Sequence, residues 1–387
     1  MNRKEISEIR KQFKKDGNAI DYICGCYVDG EKQIQMKERR AFFSLSEDEI
    51  FKYYEIFKKA TSGPIGKNLH NLDYTIDQEL TGEGHKLLLA LRNSKLKDDA
   101  ILDTFYQSVV DHYEYGENYY IVLIHANYDV PGVGTDGIEM DDASETVYEY
   151  IVCCICPVVL SEPGLCYNAV SNSIEERERD WWVELPVNGF LFPAFNDRTA
   201  DIHSLLYYSK KPEELHGEWI DGCIGGPTPM SFKCQKETFQ DILAETLGED
   251  SEYTVVRQVQ EELASIVEEH KEEPEPLKLD KPKVRRILEE SGVEAERMEQ
   301  FDRIYEEKAG EQATFVAANV VKSRKVDIKT AEIKIQVDPA CMDMITTQMI
   351  DGRKCLVIPV EENVEINGLR ATVGFAGTMT PAGVTAV

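Results

Sequence analysis

The chain has 387 residues, 42% hydrophobic and 29% charged. This is ordinary globular composition with room for one large domain and a smaller one, and it argues against disorder. A formal net charge of −28 argues against a broad basic footprint for DNA or RNA, since neutralising phosphates takes clustered Lys and Arg, and against docking on anionic lipid. No apolar run reaches the ~18 residues of a membrane span, and the charge-rich first seventeen residues lack the apolar core of a signal peptide, so the expected location is cytoplasmic.

Residues 3–13 read as an amphipathic helix. Ile20, Tyr22, Cys24, Cys26 and Val28 then alternate as one face of a strand. Asp29-Gly30 marks a hairpin, with a second strand returning through residues 33–36. Ser46 with Glu49 is a capping box ahead of Ile50, Phe51, Tyr54 and Phe57 at helical spacing, and Gly63-Pro64 ends that helix. Helices are predicted over 84–91 and 98–113. The apolar run 119–126 fits a central strand covered on both faces. Residues 131–143 form a Gly- and Asp-rich loop, and 147–160 are β-prone. Residues 181–185 and 190–195 read as strands joined through Asn188-Gly189, followed by a strand over 203–208. Successive β segments with short links predict an antiparallel meander.

Beyond Pro212 the pattern turns helical, over 213–220, 237–247 and 252–270. The acidic, proline-bearing stretch 272–276 reads as a linker. Asp280 caps a helix to Glu290, and a further helix to Lys308 puts Met298, Phe301, Ile304 and Tyr305 inward. Its Glu-rich surface counts against a DNA-reading helix-turn-helix. β pattern returns over 326–369, with Asp351-Gly352 as a hairpin. The expected fold class is α+β: an antiparallel sheet flanked by helices over 1–248, a helical acidic segment over 249–310 with its linker near 272–279, a small C-terminal β module over 311–370, and a Gly- and Thr-rich tail over 371–387.

Chemical signatures are sparse. The ten cysteines, with Cys24 and Cys26 two apart and Cys153 beside Cys154 and Cys156, are expected as reduced thiols packed like small hydrophobes. The stretch 62–68 lacks the first glycine and closing Ser/Thr of a phosphate loop. Gly132, Gly134 and Gly137 match G-x-G-x-x-G, but the carboxylates Asp136, Glu139, Asp141 and Asp142 that follow would repel a pyrophosphate. With Glu145 they read as a solvated acidic loop, their spacing being wrong for an EF-hand. The densest set of chemical side chains is the turn bearing Asp197, Arg198, Asp201 and His203. Asp201 and His203, two apart, would share a face of an extended backbone. They are candidates for an acid/base pair or a metal site, with His216 as a third ligand. Against this stands an Asp–Arg pair that only pins a loop. The aromatics Trp181, Trp182, Tyr207, Tyr208 and Trp219 are expected to fill a core between sheet and helix.

The stretches Ile23-Cys24-Gly25-Cys26-Tyr27-Val28-Asp29-Gly30, Ser94-Lys95-Leu96-Lys97-Asp98-Asp99, Glu139-Met140-Asp141-Asp142-Ala143-Ser144, Gly189-Phe190-Leu191-Phe192-Pro193-Ala194-Phe195-Asn196-Asp197-Arg198 and Ile350-Asp351-Gly352-Arg353-Lys354-Cys355 resemble a bacterial family known as domain of unknown function 4317. The resemblance covers residues 1–369. It implies a bacterial, cytoplasmic protein and carries no activity, cofactor or catalytic residue with it. Three functional readings follow. The first is a non-catalytic interaction or regulatory protein with a protein partner. The second is a metal-dependent hydrolase-like enzyme using Asp197, Asp201 and His203. The third is a nucleoid- or nucleic-acid-associated protein, by analogy alone.

Overall fold

The computed structural model describes residues 1–371 apart from 16, 18, 134–138, 249–250, 322–324, 361–363 and 367–368, and the side chains of 133–145, 339–340, 366 and 371 also lie outside the described set. Residues 19–209 build one antiparallel sheet. Its strands are β1 (Ala19–Val28), β2 (Ile34–Ala41), β3 (Leu69–Asp73), β4 (Tyr119–Val133), β5 (Glu139–Leu160), β8 (Trp181–Val183), β9 (Asn188–Phe192) and β12 (Ser204–Ser209). They run in the order β2-β1-β4-β5-β9-β12-β3, with β8 also on β5. Between them lie two separate ribbons, β6 (Leu165–Asn168) with β7 (Ser173–Glu176) and β10 (Ala194–Asn196) with β11 (Thr199–Asp201).

Strand β4 shows why the sheet is central. Tyr120, Val122, Ile124 and Ala126 enter one core, while Tyr119, Ile121 and Leu123 enter the other, so the period of two fills both faces. The first core is closed by α1 (Arg3–Gln12) and α2 (Glu47–Ala60) through Ile6, Ile9, Tyr54 and Phe57. The second is closed by α4 (Glu83–Asn93) and α5 (Asp99–His112), which follow the short α3 (Ile76–Thr81), and by a turn in which α6 (Gly217–Trp219) widens into a π-helix over Ile220–Ile224. Each fully buried Leu or Phe on these faces contributes about 1.5–3 kcal/mol. The helix starts are written locally: Asn2 with Glu5, Ser46 with Glu49 and Thr75 with Gln78 are all reciprocal capping boxes.

A third core lies in the second half. It joins α7 (Phe232–Leu247), α8 (Tyr253–Glu269), α9 (Lys281–Glu290), α10 (Ala295–Ala309) and α11 (Ala317–Val320) with the short pair β13 (Lys278–Leu279) and β14 (Phe315–Val316). Phe239, Val259, Leu263, Phe301 and Tyr305 are its buried centre. Three hairpins follow: β15 (Val326–Lys329) with β16 (Lys334–Val337), β17 (Thr346–Ile350) with β18 (Arg353–Val357), and β19 (Val364–Ile366) with β20 (Leu369–Ala371). The chain is thus α+β, with a large antiparallel sheet flanked by helices and small strand pairs near the C-terminal end.

Several local expectations are corrected. Ile20 does not share a face with Cys24, because β1 carries an irregularity between Ile20 and Ile23. Ile20 and Ile23 enter the first core, Cys24, Cys26 and Val28 enter the second, and Tyr22 is exposed. Phe51 also points to solvent; Tyr54, Ile56, Phe57 and Ala60 are the buried face of α2. At the Asp29 turn the left-handed residue is Lys32, not Gly30, and the Asp29 side chain accepts from the amides of Glu31 and Gln33. Asn188-Gly189 is no turn: both residues lie inside β9, and β8 and β9 each pair with β5 instead of with one another. The helix expected over 213–220 starts only at Gly217, since His216 sits at φ 49. The tail beyond residue 371 lies outside the described residues.

Candidate functional site

The turn holding Asp197, Arg198, Asp201 and His203 is the tip and exit of the β10–β11 ribbon. Asp197 and Arg198 both occupy left-handed backbone, φ 50 and 58. Two carboxylates of α1 hold them there. Glu5 accepts from the Asp197 amide at 2.8 Å, and Glu8 accepts from Arg198 Nη2 at 3.0 Å. Glu5, only 7% exposed, also closes its own capping box on the Asn2 amide.

Asp201 is similarly occupied. One of its oxygens accepts from Asn196 Nδ2 at 2.6 Å and from the Ser204 hydroxyl at 3.1 Å, and the other accepts from the His203 amide at 3.0 Å. Burial works against its charge, but these hydrogen bonds outweigh burial and hold the carboxyl below its usual value. The His203 ring does not join it. Its Nδ1 lies 2.7 Å from Glu79 Oε1 of α3, and the hydrogen bond and charge of Glu79 raise the imidazole above its usual value.

His216 stands elsewhere. Its ring lies 4.6 Å from that of Tyr113, and it lines a separate cavity of about 180 Å³ with Asn188, Ser209, Lys211 and Glu214. Burial lowers its pKa. The structure therefore brings Asp197, Asp201 and Asn196 to one cleft, turns His203 onto α3 and leaves His216 apart. Among the described residues no group of three or more His, Cys, Asp or Glu is placed to hold a metal ion.

The cleft beside the turn, about 610 Å³, lies between α1, β3 and the chain from His270 to Lys283. Arg3 fastens its far wall, its amide donating to Pro274 O at 3.1 Å and its Nη1 to Lys271 O at 3.3 Å. The polar groups here join sheet to helical half, and the best-buried carboxylates spend their acceptors on the protein itself. Sequence reasoning missed Glu5, Glu8 and Glu79 as partners of the turn. Only the two capping boxes on α1 and α3 are visible locally; the distant pairing is a product of the fold.

The remaining motifs resolve structurally. Burial pushes the thiols of Cys24, Cys26 and Cys223 up to about 12, and those of Cys153, Cys154 and Cys156 up as well, so these are inert packing groups. Asn68, at the end of the loop like a phosphate loop, donates to Ser209 O and Lys210 O. The side chains of Asp136, Glu139, Asp141, Asp142 and Glu145, and residues Gly134 to Gly137, lie outside the described residues. On α9, Arg285 and Arg286 are paired with Glu289, Asp302 and Glu290. Tyr207, Tyr208 and Trp219 do fill cores, but Trp181 and Trp182 do not: they are 57% and 53% exposed.

These tryptophans belong to an excursion between β5 and β9. Ser161 N donates to Asp180 O at 2.9 Å, forming its neck. Beyond the neck the β6–β7 ribbon pairs Leu165 with Glu176 and Tyr167 with Ile174, so these four share one face, and Cys166, Asn168, Ser173 and Glu175 share the other. Leu165, Tyr167 and Ile174 are 77%, 61% and 63% exposed. Eight large apolar side chains between Leu165 and Leu185 face solvent, more than scattered surface hydrophobes account for. A lone two-stranded ribbon is marginal in water and gains by covering its apolar face. This excursion is the candidate interaction surface.

A family model described as Domain of unknown function (DUF4317) matches residues 1–369. No curated protein and no solved structure matches the chain. Among the described residues no helix is long and apolar enough to cross a membrane. With the match running from the N-terminal helix into the last hairpin, the chain belongs to the family of domain of unknown function 4317.

Proposed function

We propose that this is a non-catalytic interaction or regulatory protein of the bacterial cytoplasm, working through a protein partner held on the excursion between β5 and β9. The observation that carries this reading is the amphipathic β6–β7 ribbon, whose Leu165, Tyr167 and Ile174 are exposed on one face. Interaction surfaces are rich in Trp, Tyr and aliphatic anchors of this kind. The Asp197 turn supports the same reading, because the Asp197 amide and Arg198 are tied to α1 and the Asp201 carboxylate to the ribbon itself.

The test is a photocrosslinking amino acid placed at Trp182 and, as control, at exposed Asp111 of α5, in cells that express the protein naturally. Discrete adducts at 182 and none at 111, lost on Leu165→Ser with Tyr167→Ser, are expected. Adducts at neither position, or the same adducts at both, would sink the reading.

A further inference from the structure

The β8 strand has one edge on β5 and one edge open. In an antiparallel ladder, residues that exchange hydrogen bonds alternate with residues that do not. Glu184 N donates to Pro157 O, and Ser161 N donates to Asp180 O, both at 2.9 Å. Between these lie Val158 opposite Val183, Val159 opposite Trp182 and Leu160 opposite Trp181. The bonded pair is therefore Val159 with Trp182. Trp181 and Val183 turn their N–H and C=O groups away from β5, and among the described residues no strand pairs with that outer edge.

Sheets commonly guard a free edge with charge. β2, the edge strand at the far side of this sheet, does so with Lys37, Arg39 and Arg40. β8 carries Trp181, Trp182 and Val183 instead, all exposed. We infer that this edge takes an extended segment of a partner protein as an added strand, and that the segment alternates apolar residues with Lys or Arg. The inference rests on the interaction reading and narrows it to one class of partner. Strand addition gives affinity through main-chain bonds and specificity through alternate side chains.

Charge selects the occupant. Glu162, Glu175, Glu176, Glu178, Asp180 and Glu184 stand in the excursion against Arg177 and Arg179 alone, and Arg179 Nε is turned back onto Ser161 O at 2.7 Å. A second copy of the chain would set this acidic stretch against itself, on molecules of net charge −28 each. A basic segment meets an opposite field.

The experiment titrates the full chain with an end-capped peptide of alternating Val and Lys, its Val/Glu twin, and a Val/Lys peptide N-methylated along one edge, reading tryptophan fluorescence and calorimetry. The Val/Lys peptide is expected to saturate, and the other two to bind at least about tenfold more weakly. Val183→Pro removes only an outward N–H, which an edge strand tolerates. It is expected to cost about tenfold in affinity with the melting curve unchanged. Trp181→Ser with Trp182→Ser, which leaves the backbone intact, is expected to weaken binding similarly and stands in if the proline variant fails to fold. Equal binding of the Lys and Glu peptides, equal binding of the N-methylated peptide, full binding by Val183→Pro or no binding at all each overturns the inference. So does sedimentation showing a dimer that Val183→Pro dissolves, which would make a second copy the occupant. Crosslinks at Trp182 that persist beside such a failure would retain the interaction reading and remove strand addition alone.

Discussion

Single titrating side chains make the most direct forecasts. His203 is exposed, and Glu79 raises its pKa. A group whose folded pKa exceeds its unfolded one adds stability that is fully present below the unfolded value and is lost as pH rises through the folded value. Glu79→Gln should therefore narrow the gap to wild type as pH climbs past 6.5, and proton NMR of the His203 ring should show its pKa falling in the variant. An unmoved titration would mean that the Glu79 contact does not form. His125 behaves oppositely. Buried in β4, it is pushed down to about 4 from 6.5 by burial, so the unfolded chain takes up a proton that the folded one refuses. Stability from this group is intact above pH 6.5 and drains away between there and pH 4. His125→Phe should flatten that part of the profile of urea midpoints against pH; an unchanged slope would assign it to carboxylates.

At the scale of elements, the sheet is held to its neighbours by a buried polar chain. Tyr113, at the C-terminal cap of α5, donates to Asn188 Oδ1 at 2.7 Å, Asn188 Nδ2 donates to Tyr207 at 2.9 Å, and Tyr207 donates to Leu215 O at 2.6 Å. Asn188→Ala strands the Tyr113 hydroxyl in the second core. It should cost about 2–4 kcal/mol, counting an orphaned donor with the bond it loses, read from chemical denaturation. A loss under 1 kcal/mol would show that Tyr113 finds another acceptor. The same residue marks what was legible in the chain. The α2 helix with its Ser46 capping box, the β4 run and the Asp351 hairpin could be read because each signal is local. Asn188-Gly189 has the composition of a tight turn, yet Gly189 is needed for another reason: a Cβ there would sit 2.6 Å from the Cys153 carbonyl oxygen of β5. Close approach by a strand distant in sequence leaves no local trace. Of the proposed turn, the residue types at 197–203 were visible, but whether they converge depended on Glu5, Glu8 and Glu79, which come from elements packed around them. The exposure of Trp181 and Trp182 was invisible for the same reason, since an aromatic pair reads as core until its surroundings are known.

For the whole molecule, charge is the dominant long-range term. Seventy-one carboxylates face 43 Lys and Arg, and many of the basic groups already sit in exposed pairs such as Lys37 with Asp103 and Arg39 with Asp99, which contribute little each. Self-repulsion should then outweigh pairing. Raising NaCl from about 0.01 to 0.2 M, which shortens the screening length from ~30 Å to under 10 Å, should raise Tm by roughly 2–5 °C; a fall would mean that the pairs dominate. The two halves also share fastenings of a different kind: Asn319 Nδ2 reaches Gly66 O at 2.5 Å, Lys67 Nζ lies 4.6 Å over the Phe232 ring, and Arg3 bonds the backbone of the 271–274 stretch. The excursion between β5 and β9, by contrast, is held to the sheet by its neck at Ser161 and Asp180 and by β8. Closure entropy grows slowly with the length of what lies between two fixed points. The neck is accordingly a natural port: the chain between Ser161 and Asp180 can be shortened to a tight turn, or exchanged for an unrelated segment, while the sheet and all three cores fold as before.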